Sequence, residues 1–193
     1  MPATTVINNG DADKVPGGNP PAIPAPFILL ADDGASRDVY EAIVYMGDVN
    51  QGNDGSMSVN VSDDSQKKIG DSSMRFTYKT PGGKSHWAGM MMLFTPGVYK
   101  DDPGSKGPDL ELYSQYTFWV KGRGGDVKFY IECEGGEQDT AYVKLTDEWR
   151  QITLSVNDSW RFCNIPFGWT CNAGYSDTDG GTIEFWCDGM QFE

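Results

Sequence analysis

The chain has 193 residues, with 15 basic against 28 acidic side chains, one histidine and a net charge of −13 at pH 7. That balance excludes a basic stripe for nucleic acid or for an anionic membrane surface, and it favours a neutral or cationic partner such as neutral polysaccharide. Acidity that serves only solubility is the plain alternative.

Residues 1–26 read as a Pro/Gly-rich linker or flexible N-terminal arm, with Asn8-Asn-Gly-Asp11, Pro16-Gly-Gly-Asn-Pro-Pro21, Pro24 and Pro26. Such a stretch does not build a ladder and favours extended, polyproline-like structure. It lacks the charged start and apolar block of a secretory leader. A single β-domain is expected over residues 27–193, beginning at the apolar run Phe27-Ile-Leu-Leu30 and its Asp32-Asp-Gly34 turn.

Val39 to Tyr45 reads as a strand or an irregular edge, and residues 47–56 as a loop. Met57-Ser-Val-Asn-Val61 alternates as a strand does. Ser72 to Lys79 alternates cleanly, with Met74, Phe76 and Tyr78 on one face and Arg75 on the other. After the turn Pro81-Gly-Gly83, the run His86 to Phe94 is apolar at both parities, as in a strand covered on both faces. Gly97 to Pro108 is a long polar loop, and Leu110 to Tyr113 a brief turn or edge strand.

The last third is richest in strand signals: Tyr116 to Glu132, Leu145 to Leu154, Phe167 to Asn172 and Thr182 to Glu193. Parity sets Val127, Phe129, Ile131 and Cys133 toward a core, and Lys128, Tyr130 and Glu132 outward. Gly122-Arg-Gly-Gly125 is a strand-connecting turn that precedes no helix, so it is no phosphate cradle. About ten short strands at this spacing predict an all-β antiparallel two-sheet sandwich. Cys133, Cys163, Cys171 and Cys187 form no zinc-type pair. Cys163 and Cys171 flank a short stretch that a disulfide could close in an oxidising compartment, and buried thiols are the equal alternative.

A sugar ring needs a flat aromatic for its C–H face and polar side chains for its hydroxyls. Six tryptophans are present, most of them expected in the core. Trp87 precedes Ala88 and Gly89, which leave room beside its indole, although core packing is an open reading. Tyr45, Trp169 and Asn172 adjoin Gly- and Asp-rich loops, with core readings open for Tyr45 and Trp169. Tyr130 stands between two outward charges. Arg75, Glu132 and His86 complete the ligand-binding candidates, while Trp119, Trp149 and Trp186 read as structural.

The succession Tyr45-Met-Gly-Asp48, Gly70-Asp-Ser-Ser-Met-Arg-Phe76, Trp87-Ala-Gly89, Phe118-Trp-Val-Lys-Gly122, Thr146-Asp-Glu-Trp-Arg150, Phe167-Gly-Trp169 and Asp188 to Glu193 resembles the galactose-binding-like jelly rolls that serve as carbohydrate-binding modules. The resemblance spans residues 27–193 and is more specific for the fold than for the ligand. It implies a non-catalytic, extracellular module tethered to a polysaccharide-degrading enzyme, with a cleft for soluble β-glucan, xyloglucan or mannan. It also implies that the first and last strands are neighbours and share a structural calcium ion, here through Asp32, Asp33 and Asp188. The family's paired aspartates are replaced by Asp188-Gly189. Calcium takes carboxylate and carbonyl oxygens from such loops; solvated turn aspartates are the alternative.

No catalytic residue is expected. The chain has no nucleophile elbow, Walker loop or metalloprotease helix. Its carboxylates fall mostly in Gly-rich loops and give no pattern for the paired acids of glycoside hydrolysis. A jelly-roll hydrolase or lyase, or a protein-adhesion domain, are the alternatives.

Overall fold

The computed structural model describes residues 27–28, 41–46, 56–79, 87–93, 110–133, 138–157, 163–172 and 181–193. Every regular element among them is a β-strand: β1 (Phe27–Ile28), β2 (Glu41–Met46), β3 (Ser56–Asp63), β4 (Ser73–Lys79), β5 (Trp87–Leu93), β6 (Gln115–Arg123), β7 (Asp126–Cys133), β8 (Gln138–Lys144), β9 (Arg150–Ser155), β10 (Cys163–Asn172) and β11 (Thr182–Phe192). They form two antiparallel sheets. One has six strands, in the order β3-β4-β11-β6-β9 with β1 also beside β11; the other has five, β2-β5-β10-β7-β8. The expected two-sheet β-sandwich is what the chain adopts.

The alternation read from the sequence builds this arrangement. On β4, Met74, Phe76 and Tyr78 are buried, and on β7 Val127, Phe129 and Ile131 are. Inward side chains of facing sheets interdigitate into one core. Phe76 and Phe185 of the six-stranded sheet stack at 4.8 Å, and Trp169 of the other sheet meets Phe185 edge-on at 5.0 Å. Phe118 meets Phe129 across the sheets at 5.1 Å. At one side, the Asp139 carboxylate on β8 accepts a hydrogen bond from the Ser155 backbone N–H on β9.

The long run Tyr116 to Glu132 is two strands joined at Gly124 and Gly125, both with positive φ. Leu110 to Tyr113 is a turn closed by the Tyr113 N–H to the Leu110 carbonyl at 2.9 Å. The first and last strands are neighbours, with Phe27 opposite Phe192. Strand β8 was not expected. Cys163 and Cys171 do not flank a loop: both lie on β10, eight residues apart, roughly 26 Å along an extended strand and far beyond disulfide reach. Residues 1–26 lie outside the described residues.

Candidate functional site

The outer face of the five-stranded sheet is where small residues, aromatics and a cation meet. Strand pairing lines up Tyr45, Gly89, Thr170, Lys128 and Tyr142 across all five strands. The next row holds Ile43, Met91, Gly168, Tyr130 and Thr140. Trp87 sits opposite Asn172 at the end of β5 and β10. Because Ala88, Met90 and Met92 point into the core, Trp87 and Met91 belong to the outer face.

Two aromatics stand open on this face: Trp87 is 42% exposed and Tyr142 is 67% exposed. Three strand spacings and two residues of offset separate them, so their Cα atoms are roughly 16 Å apart. Gly89 and Thr170 lie between them in the rows, which leaves a low floor. Tyr130 forms part of that floor. It is outward by parity but only 6% exposed, packed with Ile165 and Met91 in a cluster separate from the main core. Its ring lies over Gly168, where an added Cβ would come within 2.2 Å of Tyr130 Cζ. Only a residue without a side chain lets the ring lie so close. Lys128 Nζ sits 5.9 Å from the Tyr130 ring and 6.0 Å from the Tyr142 ring. A cation near two rings makes a modest electrostatic contact and keeps N–H donors free for an acceptor above.

Other expected ligand residues fall elsewhere. Trp169 is wholly buried, because β10 turns Phe167, Trp169 and Cys171 inward, and it packs against Phe76 and Phe185. It is a core residue and cannot touch a ligand. Arg75 is on the opposite sheet. Its guanidinium hydrogen-bonds Glu184 through Nε at 3.1 Å and through Nη2, approaches Asp63 at 3.5 Å and lies over the Trp186 ring at 5.5 Å. Those partners commit it to holding β3, β4 and β11 together. Glu132 shares the face with Tyr130 but is buried beside the β7–β10 irregularity. His86, Asp32 and Asp33 lie outside the described residues. So do the side chains of Tyr45 and Asn172, whose backbones take the register positions given above.

Part of the outer face of the six-stranded sheet is covered by the segment between β3 and β4. Asp188 is the clamp: its Oδ2 accepts the backbone N–H groups of Lys68 at 2.7 Å and Ile69 at 2.9 Å, and its Oδ1 that of Gly189 at 2.8 Å. Lys68 lies over Trp119 at 4.3 Å, and Lys121 Nζ donates to Gln66 Oε1 at 2.9 Å. Gly189 takes φ 58°, and a Cβ there would come within 2.6 Å of Ile69 Cδ1. Three N–H dipoles converge on the carboxylate expected to hold calcium, and their positive ends oppose a cation there. No group of three or more candidate metal ligands occurs among the described residues. Asp188 is thus engaged by three backbone N–H groups, and Asp32 and Asp33, its expected partners, lie outside the described residues.

Beside this clamp, Glu184 accepts hydrogen bonds from Arg75 and from Arg123 Nη2, the latter at 2.6 Å. Burial alone would raise its carboxyl, but the two guanidinium groups outweigh burial and hold it below its ordinary value. Asp63 behaves alike: burial pushes it up, and hydrogen bonds from Ser65 and from Trp186 Nε1, together with the charge of Arg75, bring it down.

Sequence reasoning missed Tyr142. Thr140-Ala-Tyr-Val-Lys144 alternates, with Val143 buried and Tyr142 open. That signal was present but short.

No family model matches the chain, and no curated protein matches it in sequence. Solved structures do match in fold. One is the family 11 carbohydrate-binding module of the cellulosomal cellulase Lic26A-Cel5E of Clostridium thermocellum, 14% identical, with a TM-score of 0.51 over 88% of this chain and 95% of that one. Another comes from work on the promiscuous specificity of carbohydrate-binding modules of the β-sandwich superfamily. It is 13% identical, with a TM-score of 0.53 over 89% of this chain and 63% of the other, so this chain spans less than two thirds of its length. The chain has the β-sandwich fold of these carbohydrate-binding modules.

Proposed function

We propose that the chain is a non-catalytic carbohydrate-binding module that holds a polysaccharide across the outer face of its five-stranded sheet. The observation that carries this reading is the pair of open aromatics, Trp87 and Tyr142, at either side of a low floor built from Gly89, Thr170, Gly168 and Tyr130. Flat rings set apart across a floor suit a chain of several sugar rings, each offering an apolar C–H face. Lys128 supplies donors for hydroxyl oxygens, and the acidic surface favours a neutral chain over an anionic one. A soluble β-linked plant cell-wall polysaccharide of the β-glucan, xyloglucan or mannan type fits these features. The biological role that follows is secretion with an appended glycan-degrading enzyme and its tethering to that substrate. Its fold likeness to modules such as the one from the cellulosomal cellulase supports the same reading.

Affinity gel electrophoresis against soluble glucans, xyloglucan, mannans and xylan tests it. Retardation by at least one neutral β-linked polysaccharide is expected, with no release of reducing sugar. Mobility unchanged by every polysaccharide would sink the proposal.

A further inference from the structure

The register of the two central strands carries an inference about covalent structure that is independent of the ligand. Cys163 at the start of β10 stands directly opposite Cys133 at the end of β7. Directly opposed residues of an antiparallel pair have Cα atoms about 4.5 or 5.5 Å apart, depending on pair type. Both values fall within the roughly 4.4–6.8 Å that disulfides span. Opposed residues also occupy the same face of a sheet, and Cys163, a free thiol in this structure, is buried in the core. Its Sγ lies 3.7 Å from the carbonyl oxygen of Glu132, the residue just before Cys133. The remaining cysteines are out of reach. Cys171 sits at the far end of the same strand. Cys187 belongs to the facing sheet, roughly 10 Å away, against a disulfide limit of about 7 Å.

We propose that Cys133 and Cys163 form a cross-strand disulfide when the chain folds in the presence of a small-molecule disulfide oxidant. One thiolate attacks a sulfur of the oxidant and expels its first thiolate, giving a mixed disulfide. The second cysteine thiolate then displaces the other half. Two electrons pass to the oxidant, and the two cysteine protons end on the two thiols it releases. Because the core covers Cys163, the bond forms while the strands assemble rather than in the finished sandwich. It fastens the ladder where it is weakest. The β7–β10 register shifts between Cys163 and Ile165 and again between Ile165 and Gly168, and these two residues support the Tyr130 ring.

The experiment is refolding of the full chain in oxidised and reduced glutathione, followed by alkylation, intact mass and peptide mapping. The expected product is lighter by two hydrogens, and after unfolding it titrates half of its four cysteines. Trypsin links the peptide Phe129–Lys144 to Phe162–Glu193, and chymotrypsin cutting at Phe167 then leaves Cys133 joined to the fragment holding Cys163. Reductant lowers the melting temperature by roughly 5–10 °C. Cys133→Ser and Cys163→Ser each abolish the link, whereas Cys171→Ser keeps it. Full thiol titration after oxidative refolding, or Cys133 joined to Cys171 or Cys187, overturns the assignment. Mapping of the natural chain decides the matter even if a variant fails to fold.

Discussion

Truncating the two open aromatics is the sharpest test of the binding face. A tryptophan offers up to about 250 Å², so the 42% exposure of Trp87 leaves roughly 105 Å² for a ligand. At about 25 cal/mol per Å², full cover is worth about 2.6 kcal/mol. A sugar ring covers one face of the indole, so about half is realised, or about 1.3 kcal/mol and roughly tenfold in Kd. The same reasoning for Tyr142, with about 200 Å² in all and 67% of it open, gives about 1.7 kcal/mol and nearly 20-fold. The residues are roughly 16 Å apart and share no strand, so their losses should add to about 3 kcal/mol in the double variant. Affinity electrophoresis or calorimetry with whichever polysaccharide retards the natural chain reads this series, and circular dichroism checks the fold. Three variants that bind like the natural chain while remaining folded would refute the placement of the site. Failure of the natural chain to bind any polysaccharide would instead refute the function.

Gly168→Ala should cost about 1–3 kcal/mol in urea melts, because the new methyl group meets the Tyr130 ring and must lift it; unchanged stability would mean the ring does not rest on that glycine. Asp188→Ala leaves three backbone N–H groups without their charged acceptor and should cost about 3 kcal/mol or more, with faster proteolysis near Lys67 and Lys68. Asp188→Asn, which keeps one carbonyl oxygen, should recover part of that loss. The carboxyls of Glu184, Asp63 and Glu193 are held below ordinary values of 4.5, 3.8 and 4.5. A depressed carboxyl stabilises the fold above its unfolded value, and that contribution is lost as pH falls through the folded one. The melting temperature should therefore change little through this linkage from neutral pH to about 4.5 and fall below it. Glu184→Gln should flatten that acid limb, and an unaltered limb would count against the Arg75–Glu184–Arg123 cluster.

The sandwich was legible in the sequence because its strands bury one face and keep period-two alternation, as Met74, Phe76 and Tyr78 do. The proposed binding face was only half legible. Parity names the outward residues of a strand but not what lies across from them. It set Tyr130 outward correctly, yet the ring lies flat because its neighbour on β10 is Gly168, a fact of register rather than of local sequence. Trp169 looked like Trp87 in its small-residue surroundings, and only its inward parity on β10 separates a core tryptophan from an open one. Arg75 is outward too, but on the opposite sheet, where Glu184 and Asp63 engage it. Sheet membership is fixed by long-range pairing, so no local pattern distinguishes the two outer faces. Asp188 shows the same limit for charge. In sequence it is an aspartate beside a glycine in a last strand, which suits a cation. In space the segment between β3 and β4 turns its amide hydrogens onto that carboxylate and makes it an anion receptor's guest. One outer face is thus covered in part by the protein's own loop. The other carries Trp87 and Tyr142 in the open, which is why the proposed site lies on the five-stranded sheet.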